Sequence, residues 1–458
     1  MKLRFFFTLF IAASIIVSCT GEDDEGNTNN DTPTVIVNPN QIDLPNGNFE
    51  DGLEGWTIKK YSNGDKTTVE IVEGQGVKST KCLKIQQYPN DGKCCVGVGR
   101  ELTSLEPDQM YRMKARIRYA DIVQGEGTGP VIFSPNTKQY WNASEYLYGT
   151  GLEIWRTVSV DFLADDDGKA TITAALGFWQ GGLANGGRST GTVYFDNITV
   201  TKVTNELSMM ESEHMRVFLD PTMVSISSEI LKEWIDNIDP MYEAMAELMG
   251  DTPHEGRKLA ILTSPGLYAG YWAVAGYPII WNSSNAYSIP NTLYQIRDYQ
   301  DMCFGLMHEM GHVFNIGNTS WNWNDEMFAN FRMHYALVKT GLKVYQTDAN
   351  GDSKVFTGGE ILDLYKPDYE NTIVNKVNDN GIHYMIARMA DQLEWEPYKM
   401  TFKYLLKNGY NQGGTKYDKF VHFINTLSRF ATEYHGKEID TMKYFTTMEI
   451  ESIKKQLK

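Results

Sequence analysis

The first half of the chain alternates apolar and polar residues with a period of two, which is typical of β-strands. Segments 67–72, 111–118 and 157–162 show this alternation, and clusters of Gly, Asn and Asp separate them. Many short strands with regular turn signals favour a sandwich or a jelly roll. We therefore expect an all-β jelly-roll sandwich over residues 42–204.

The hydrophobic period changes after residue 204. Two short strand-like pieces, 215–219 and 258–262, flank a segment from Ser227 to Met249 in which apolar residues recur at helical spacing. The rest of the chain reads mainly as helices. The pattern predicts a multidomain protein whose second domain, residues 205–458, is α+β and mainly helical.

The N-terminus has the layout of an export signal. A short basic segment, Met1 to Arg4, precedes an apolar run from Phe5 to Val17, which is too short to span a bilayer as a helix. The run leads into Cys19, and this arrangement resembles a bacterial lipobox whose Cys is acylated. The alternative is an ordinary secretory signal with an incidental Cys19.

An acidic cluster, residues 22–25, follows Cys19. Residues 19–41 are rich in Asn, Asp, Thr and Pro, which predicts a flexible linker. The acidic cluster behind the lipobox resembles the export signal of Bacteroidetes-type surface lipoproteins. This resemblance implies an outer-membrane lipoprotein that loses the signal peptide 1–18 and is exposed on the cell surface.

The composition excludes some classes of function. The 458 residues include 42 Lys and Arg against 58 Asp and Glu, a net charge of −16. So acidic a chain repels phosphate backbones, and we expect no nucleic-acid partner. Five Cys do not make a disulfide scaffold, although a pair among Cys82, Cys94 and Cys95 can bridge in an oxidising compartment.

Motifs at both ends of the first domain resemble those of carbohydrate-binding modules. Residues 44–56 read Leu-Pro-Asn-Gly-Asn-Phe-Glu-Asp-Gly-Leu-Glu-Gly-Trp, and residues 191–200 read Gly-Thr-Val-Tyr-Phe-Asp-Asn-Ile-Thr-Val. The resemblance is to the jelly-roll modules that are often appended to xylanases. It implies that this domain binds glycans.

The same resemblance implies a calcium site. In such modules the Glu of the opening motif and the Asp of the closing motif often bind a structural Ca²⁺, and the matching positions are Glu50 and Asp196. The alternative is that both carboxylates cap strand ends. For sugar stacking, the candidates are Tyr140, Trp141 and Trp179 in polar, Gly-rich surroundings, and the alternative for each is a place in the core.

The strongest chemical motif lies in the second domain, where residues 308–312 read His-Glu-Met-Gly-His in an apolar stretch with helical patterning. On a helix, residues i and i+4 share a face, so His308 and His312 can bind one Zn²⁺. Glu309 can then act as the general base that activates water. The alternative is two His on a buried helix with polar partners.

A catalytic zinc needs a third protein ligand. Glu326 opens the next predicted helix, 14 positions after His312. We predict Glu326 as the third ligand, with Asp325 as the alternative. Asn330 and His334 share a helix face with Glu326, and they either orient the ligands or are ordinary polar positions.

The order His-Glu-x-x-His, then Glu at this distance and a near Asn, resembles the enhancin-type, mucin-degrading gluzincins (peptidase family M-60). Segments 275–281 and 383–404 look like flanking segments of that family. The resemblance implies a zincin fold and a zinc endopeptidase that cleaves O-glycosylated proteins such as mucins. Gluzincins often use a Tyr or His from a later helix to stabilise the oxyanion, and the candidates are His383 and Tyr384. The alternative for both is packing.

Two other functions stay open. The chain can be a non-catalytic, glycan-binding surface lipoprotein, although the intact zinc motif argues against this. It can also be a gluzincin aminopeptidase, but the sequence has no Gly-x-Met-x-Asn-type segment to form a pocket for a free amine. The leading prediction is a zinc endopeptidase whose sugar-binding module holds it on glycosylated substrates.

Overall fold

A computed structural model describes residues 39–60, 67–88, 96–123, 129–134, 143–145, 147–149, 151, 154–177, 189–204, 209–218, 226–264, 272–282, 288–347, 353–374 and 379–458. The described residues from Asn40 to Lys458 belong to one unit. The signal segment 1–18 and nearly all of the linker 19–41 lie outside the described residues. So do six residues singled out in the sequence, namely Cys19, Cys94, Cys95, Tyr140, Trp141 and Trp179.

The N-terminal domain is a β-sandwich. Its described strands are β1 (Thr57–Lys60), β2 (Thr67–Val72), β3 (Cys82–Gln87), β4 (Val96–Leu102), β5 (Met110–Val123), β6 (Pro130–Phe133), β7 (Arg156–Leu163), β8 (Ala170–Leu176) and β9 (Thr190–Lys202). One sheet has the order β1-β4-β8-β6 and the other β2-β3-β9-β5-β7. All neighbouring strands are antiparallel, so the predicted jelly-roll-like sandwich is confirmed.

The alternation seen in the sequence matches the pleat of these strands. In β5, Met113, Ala115 and Ile117 are buried, whereas Arg112 and Lys114, which point to the other face, are exposed. The inward side chains of the two sheets meet in one core. On β3, Cys82 is a buried free thiol.

The second domain begins with a mixed sheet. Its strands among the described residues are β10 (Met209–Glu211), β11 (Met215–Phe218), β12 (Leu259–Ser264), β13 (Ala273–Val274) and β14 (Ile279–Asn282). Their order is β10-β11-β12-β14-β13, which makes β13 an edge strand. A smaller sheet follows, formed by β15 (Met302–Cys303), β16 (Val344–Thr347) and β17 (Ser353–Phe356).

Helices dominate the rest of the second domain, as the sequence predicts. Those in the described ranges are α1 (Ser228–Met249), α2 (Ser288–Tyr299), α3 (Phe304–Val313), α4 (Asp325–Thr340), α5 (Ile361–Val374), α6 (Asp379–Ala387), α7 (Ala390–Leu393), α8 (Glu396–Asn408), α9 (Lys416–His435) and α10 (Thr447–Gln456). The helix predicted from Ser227 is confirmed as α1, with Ser227 as its N-cap. A search of the described helices finds none with the length and apolar character needed to span a membrane.

A close contact between α3 and α4 positions the candidate site. A Cβ atom at Gly311 would lie 2.4 Å from the carbonyl oxygen of Ala329. Arg332 of α4 is fully buried and donates a hydrogen bond to the Gly311 carbonyl oxygen at 2.8 Å. Any side chain at position 311 would therefore push the two helices apart.

The two domains pack directly on each other within Asn40–Lys458. Met110 and Leu163 of the sandwich belong to the hydrophobic core of the second domain. The hydroxyl of Ser264, at the end of β12, accepts a hydrogen bond from the amide of Ala143 and donates one to its carbonyl oxygen. Buried contacts thus cross the boundary that the sequence predicts between residues 204 and 205.

Candidate metal centre

Three side chains that can bind a metal converge where α3 meets α4. The Nε2 atoms of His308 and His312 are 3.1 Å apart, and Glu326 Oε2 lies 3.2 Å from the first and 3.4 Å from the second. Ligand atoms at tetrahedral zinc distances lie about 3.3–3.5 Å from one another. The three predicted zinc ligands therefore have the spacing that one zinc ion requires.

The local sequence explains why these groups meet. His308 and His312 are one helical turn apart on α3, so they share a face. The side chain of Asn324 accepts a hydrogen bond from the amide of Met327 and caps α4. Glu326 therefore lies in the first turn of α4, where the helix dipole favours a negative charge.

The second ring nitrogen of each histidine also has a partner. His308 Nδ1 lies 2.7 Å from Asn330 Oδ1, and His312 Nδ1 lies 2.7 Å from Asp325 Oδ2. These oxygens accept hydrogen bonds, so each neutral imidazole carries its proton on Nδ1 and keeps the Nε2 lone pair for a metal. Asn330 thus orients His308. Asp325 contacts the Nδ1 side of His312, which does not fit its alternative role as zinc ligand.

The site brings groups of opposite charge together. Burial lowers the pKa of His312, but hydrogen bonds to Asp325 and Glu326 outweigh burial and raise this pKa to about 9. Hydrogen bonds from His308 and His312 hold the pKa of Glu326 well below its usual range. The two carboxylates thus favour positive charge at the histidine pair.

Glu309 lines the same cleft, which has a volume of about 820 Å³. Burial raises the pKa of its carboxyl group, and the backbone amide of Ala275 donates a hydrogen bond to it. A half-buried carboxylate beside the histidine pair is placed to exchange a proton with a water molecule there. The geometry therefore accommodates the predicted general base.

The edge strand β13 forms part of the cleft wall. Ala273 and Val274 of this strand line the cleft, together with Ala275 and Gly276, which follow it. An edge strand offers backbone hydrogen-bonding groups, and an extended peptide can add to it as a further strand. The cleft can thus hold an extended peptide beside the histidines.

His383 and Tyr384, the predicted candidates for oxyanion stabilisation, do not line this cleft. The side chain of His383 is fully buried, and its Nε2 lies 3.2 Å from Nδ1 of the buried His334. Tyr384 stacks on Tyr369 with ring centroids 4.7 Å apart. We correct the prediction accordingly, because packing accounts for both residues and puts His383 out of reach of a substrate.

Glu50 and Asp196 accept backbone hydrogen bonds from the two ends of the segment 77–81. Asp196 is fully buried, and its two carboxylate oxygens accept hydrogen bonds from the amides of Val77 at 2.7 Å and Asn197 at 2.6 Å. Glu50 accepts from the amide of Lys81 at 3.0 Å. Burial raises the pKa of Asp196, and the nearby charge of Glu50 adds to this rise. The backbone bonds fit the capping alternative, and the calcium site stays a prediction.

Sequence reasoning missed two supporting groups. Arg332 is buried and lies 3.3 Å from Asp325, and its spacing of seven residues on one predicted helix could have indicated this contact. The amide of Ala275 reaches Glu309 from a distant part of the chain. A contact of that kind leaves no local pattern in the sequence.

Comparisons with known proteins give partial likenesses in structure. No family model matches the chain, and no curated protein matches it. TmCBM61 in complex with β-1,4-galactotriose is 14% identical, with 35% of this chain and 97% of that one covered and a TM-score of 0.25. A functionally unknown conserved protein from Bacillus anthracis str. Ames is 13% identical, with 87% and 79% covered and a TM-score of 0.39.

Other similar structures match only part of this chain. The enzymatically active domain of bacteriophage CBA120 tailspike protein 4 is 11% identical, with 35% of this chain covered and a TM-score of 0.26. The match spans only 21% of that tailspike structure. Carbohydrate-binding modules recur among the similar structures. All these TM-scores are below 0.5, so the function has to be inferred from the residues of this chain.

Proposed function

We propose that this protein is a zinc-dependent endopeptidase. The observation that carries the proposal is the convergence of His308, His312 and Glu326 beside Glu309 in one cleft. Zinc held by the first three residues would supply a Lewis acid and lower the pKa of water at the site. Peptide hydrolysis is the chemistry that such a metal and an adjacent carboxylate support best.

The side chains of the site divide the work. Glu309 accepts a proton from water and then donates it to the leaving amine. Asn330 and Asp325 hold the two imidazoles through Nδ1, which keeps both Nε2 atoms aimed at one point. The backbone of β13 aligns an extended substrate along the cleft.

We further propose that the substrates are glycosylated, mucin-like proteins. Support comes from the resemblance of the zinc motif and its flanks to mucin-degrading gluzincins, and from a sandwich whose end motifs resemble sugar-binding modules. Glycan binding at Tyr140, Trp141 or Trp179 would raise the local concentration of peptide at the cleft. A lipid anchor at Cys19 would place the enzyme on the outer membrane, facing such substrates.

The test uses defined O-glycopeptides with free and with blocked amino termini. We expect cleavage of both forms, inhibition by EDTA and recovery on adding zinc. An aminopeptidase would cleave only the form with the free amino terminus. A non-catalytic glycan-binding protein would bind the glycopeptides and leave both forms intact, even with zinc bound.

A further inference from the structure

Asp108 belongs to the sandwich, in the turn before β5, yet its partners belong to the second domain. Its Oδ1 atom accepts a hydrogen bond from the hydroxyl of Tyr277 at 2.8 Å and also pairs with Arg257. Its carbonyl oxygen accepts from Arg216. The backbone of Asp108 has φ of 58°, a region that few non-glycine residues adopt. One acidic residue of the sandwich thus contacts three side chains of the other domain.

Tyr277 carries this contact to the wall of the cleft. Its ring is buried, lies 4.7 Å from the Arg257 guanidinium, and packs on His254 with ring centroids 4.6 Å apart. His254 lines the cleft, and so do Ala275 and Gly276, which precede Tyr277 in the chain. The position of Tyr277 therefore sets the position of two parts of the cleft wall.

Ala275 extends the connection to the candidate base. Its backbone amide donates a hydrogen bond to Glu309 and lies only two residues before Tyr277. A displacement of Tyr277 would move this amide and release the Glu309 carboxylate. Continuous contacts thus lead from Asp108 through Tyr277 and Ala275 to Glu309.

We propose that Asp108 is a positioning residue for the candidate peptidase site. The sandwich then holds one wall of the cleft in place through Tyr277, whether or not it also binds a glycan. The inference rests on the proposed endopeptidase function. Arg257 keeps a second carboxylate partner, Asp166 at 2.8 Å. Removal of the Asp108 side chain therefore acts chiefly on Tyr277.

The test compares single variants of the full chain. Asp108→Ala removes both side-chain contacts, Asp108→Asn keeps an acceptor for Tyr277, and Tyr277→Phe removes only the hydroxyl. Glu70→Gln is the matched control. It neutralises a carboxylate that pairs with Lys84 at 2.8 Å on β2, an edge strand of the sandwich.

Two readouts are combined at equal zinc content. The release of new amino termini from a mucin gives kcat and KM, and hydrogen–deuterium exchange reports on residues 272–282. We expect Asp108→Ala and Tyr277→Phe to lower kcat about tenfold with KM changed less than about twofold, because the base is misplaced. Asp108→Asn should recover most of kcat. Hydrogen–deuterium exchange over 272–282 should become faster in Asp108→Ala and Tyr277→Phe and stay unchanged in Glu70→Gln.

Several outcomes would overturn the inference. One is unchanged kcat and unchanged exchange in both Asp108→Ala and Tyr277→Phe, and another is an equal loss in Glu70→Gln. If the wild type releases no amino termini, the proposed function fails, and exchange over 272–282 alone decides whether Asp108 positions the cleft. If Asp108→Ala does not fold, Tyr277→Phe, which loses a single oxygen atom, decides the question.

Discussion

Two histidine pairs lie on neighbouring helices of the second domain and have nearly equal nitrogen–nitrogen distances. In the first pair, the Nε2 atoms of His308 and His312 are 3.1 Å apart in an open cleft. In the second pair, Nδ1 of His334 on α4 and Nε2 of His383 on α6 are 3.2 Å apart in the core. The two pairs differ in their neighbours, and the difference shows what a metal site needs beyond two imidazoles.

The first pair has carboxylates within reach and the second pair packs on aromatic rings. Hydrogen bonds to Asp325 and Glu326 overcome burial and raise the pKa of His312 to about 9. Burial lowers the pKa of His334 to about 4, and His383 packs on the ring of Tyr365 at 4.6 Å. The protonated imidazole is thus favoured in one place and disfavoured in the other.

The largest expected effect separates the two pairs by zinc affinity. His308→Ala should weaken zinc binding by roughly a thousandfold or more, because a few ligands share an apparent binding energy of about 10–16 kcal/mol. His383→Ala should bind zinc normally and lose about 2–4 kcal/mol of unfolding free energy through a cavity in the core. Zinc titration and urea unfolding measure the two effects. Equal zinc affinity in the two variants would erase the distinction between the pairs.

The buried pair should make stability sensitive to acid. The folded-state pKa of His334, about 4, lies below its ordinary value of 6.5. The stability that neutral His334 contributes is therefore present above pH 6.5 and is lost as the pH falls towards 4, because the unfolded chain binds the proton more readily. The full loss is about 3 kcal/mol.

Urea unfolding of the zinc-free protein at pH 7 and pH 4.5 measures this dependence. His334→Gln, which cannot titrate in this range, is the comparison variant and should lose less stability on acidification than the wild type. Because the carboxylates titrate in both proteins, the difference between the two isolates the imidazole. Identical pH dependence would show that the buried pair does not control acid stability.

A change at the helix contact should affect both stability and the metal site. Gly311→Ala would place a Cβ atom 2.4 Å from the carbonyl oxygen of Ala329, so α3 and α4 must separate. We expect a loss of about 1–3 kcal/mol in unfolding free energy and weaker zinc binding, because Glu326 moves away from the histidines. Gly359→Ala is the control, since a Cβ atom there meets nothing within 4 Å. Equal stability of the two variants would contradict the tight contact.

The smallest effect concerns the groups that orient the ligands. Asp325→Asn keeps the shape of the side chain but removes the charge that faces His312 and Arg332. We expect zinc affinity to fall about tenfold, the lower end of the range for such partners. Asp298→Asn, which neutralises an exposed carboxylate paired with Arg297, is the control. A loss as large as that of His308→Ala would instead make Asp325 a direct ligand.

The sequence predicted the parts of the molecule whose patterns are local. Helical spacing located α1, and His308, Glu309 and His312 were recognised because they lie within one turn of a helix. Glu326 was placed by its position at the start of the next helix. These positions agree with the structure because residues that are close in sequence within a helix are also close in space.

Other features depend on contacts between distant segments. His383 was an oxyanion candidate only because of a family resemblance. Its burial beside His334 depends on how α4 packs on α6. The contact of Asp108 with Tyr277 joins two domains and has no counterpart in either segment alone. The sequence therefore predicted that His308, His312 and Glu326 lie together, but it could not show what holds the cleft around them.

We propose above all that the first histidine pair forms the zinc site of a peptidase with Glu309 as its base. The most direct measurement compares wild type and Glu309→Gln, each with its zinc content determined, for release of new amino termini from an O-glycosylated protein. We expect about one zinc per chain in both proteins and at least about 100-fold slower release by the variant. Equal release by the two proteins, or none by the zinc-loaded wild type, would contradict it.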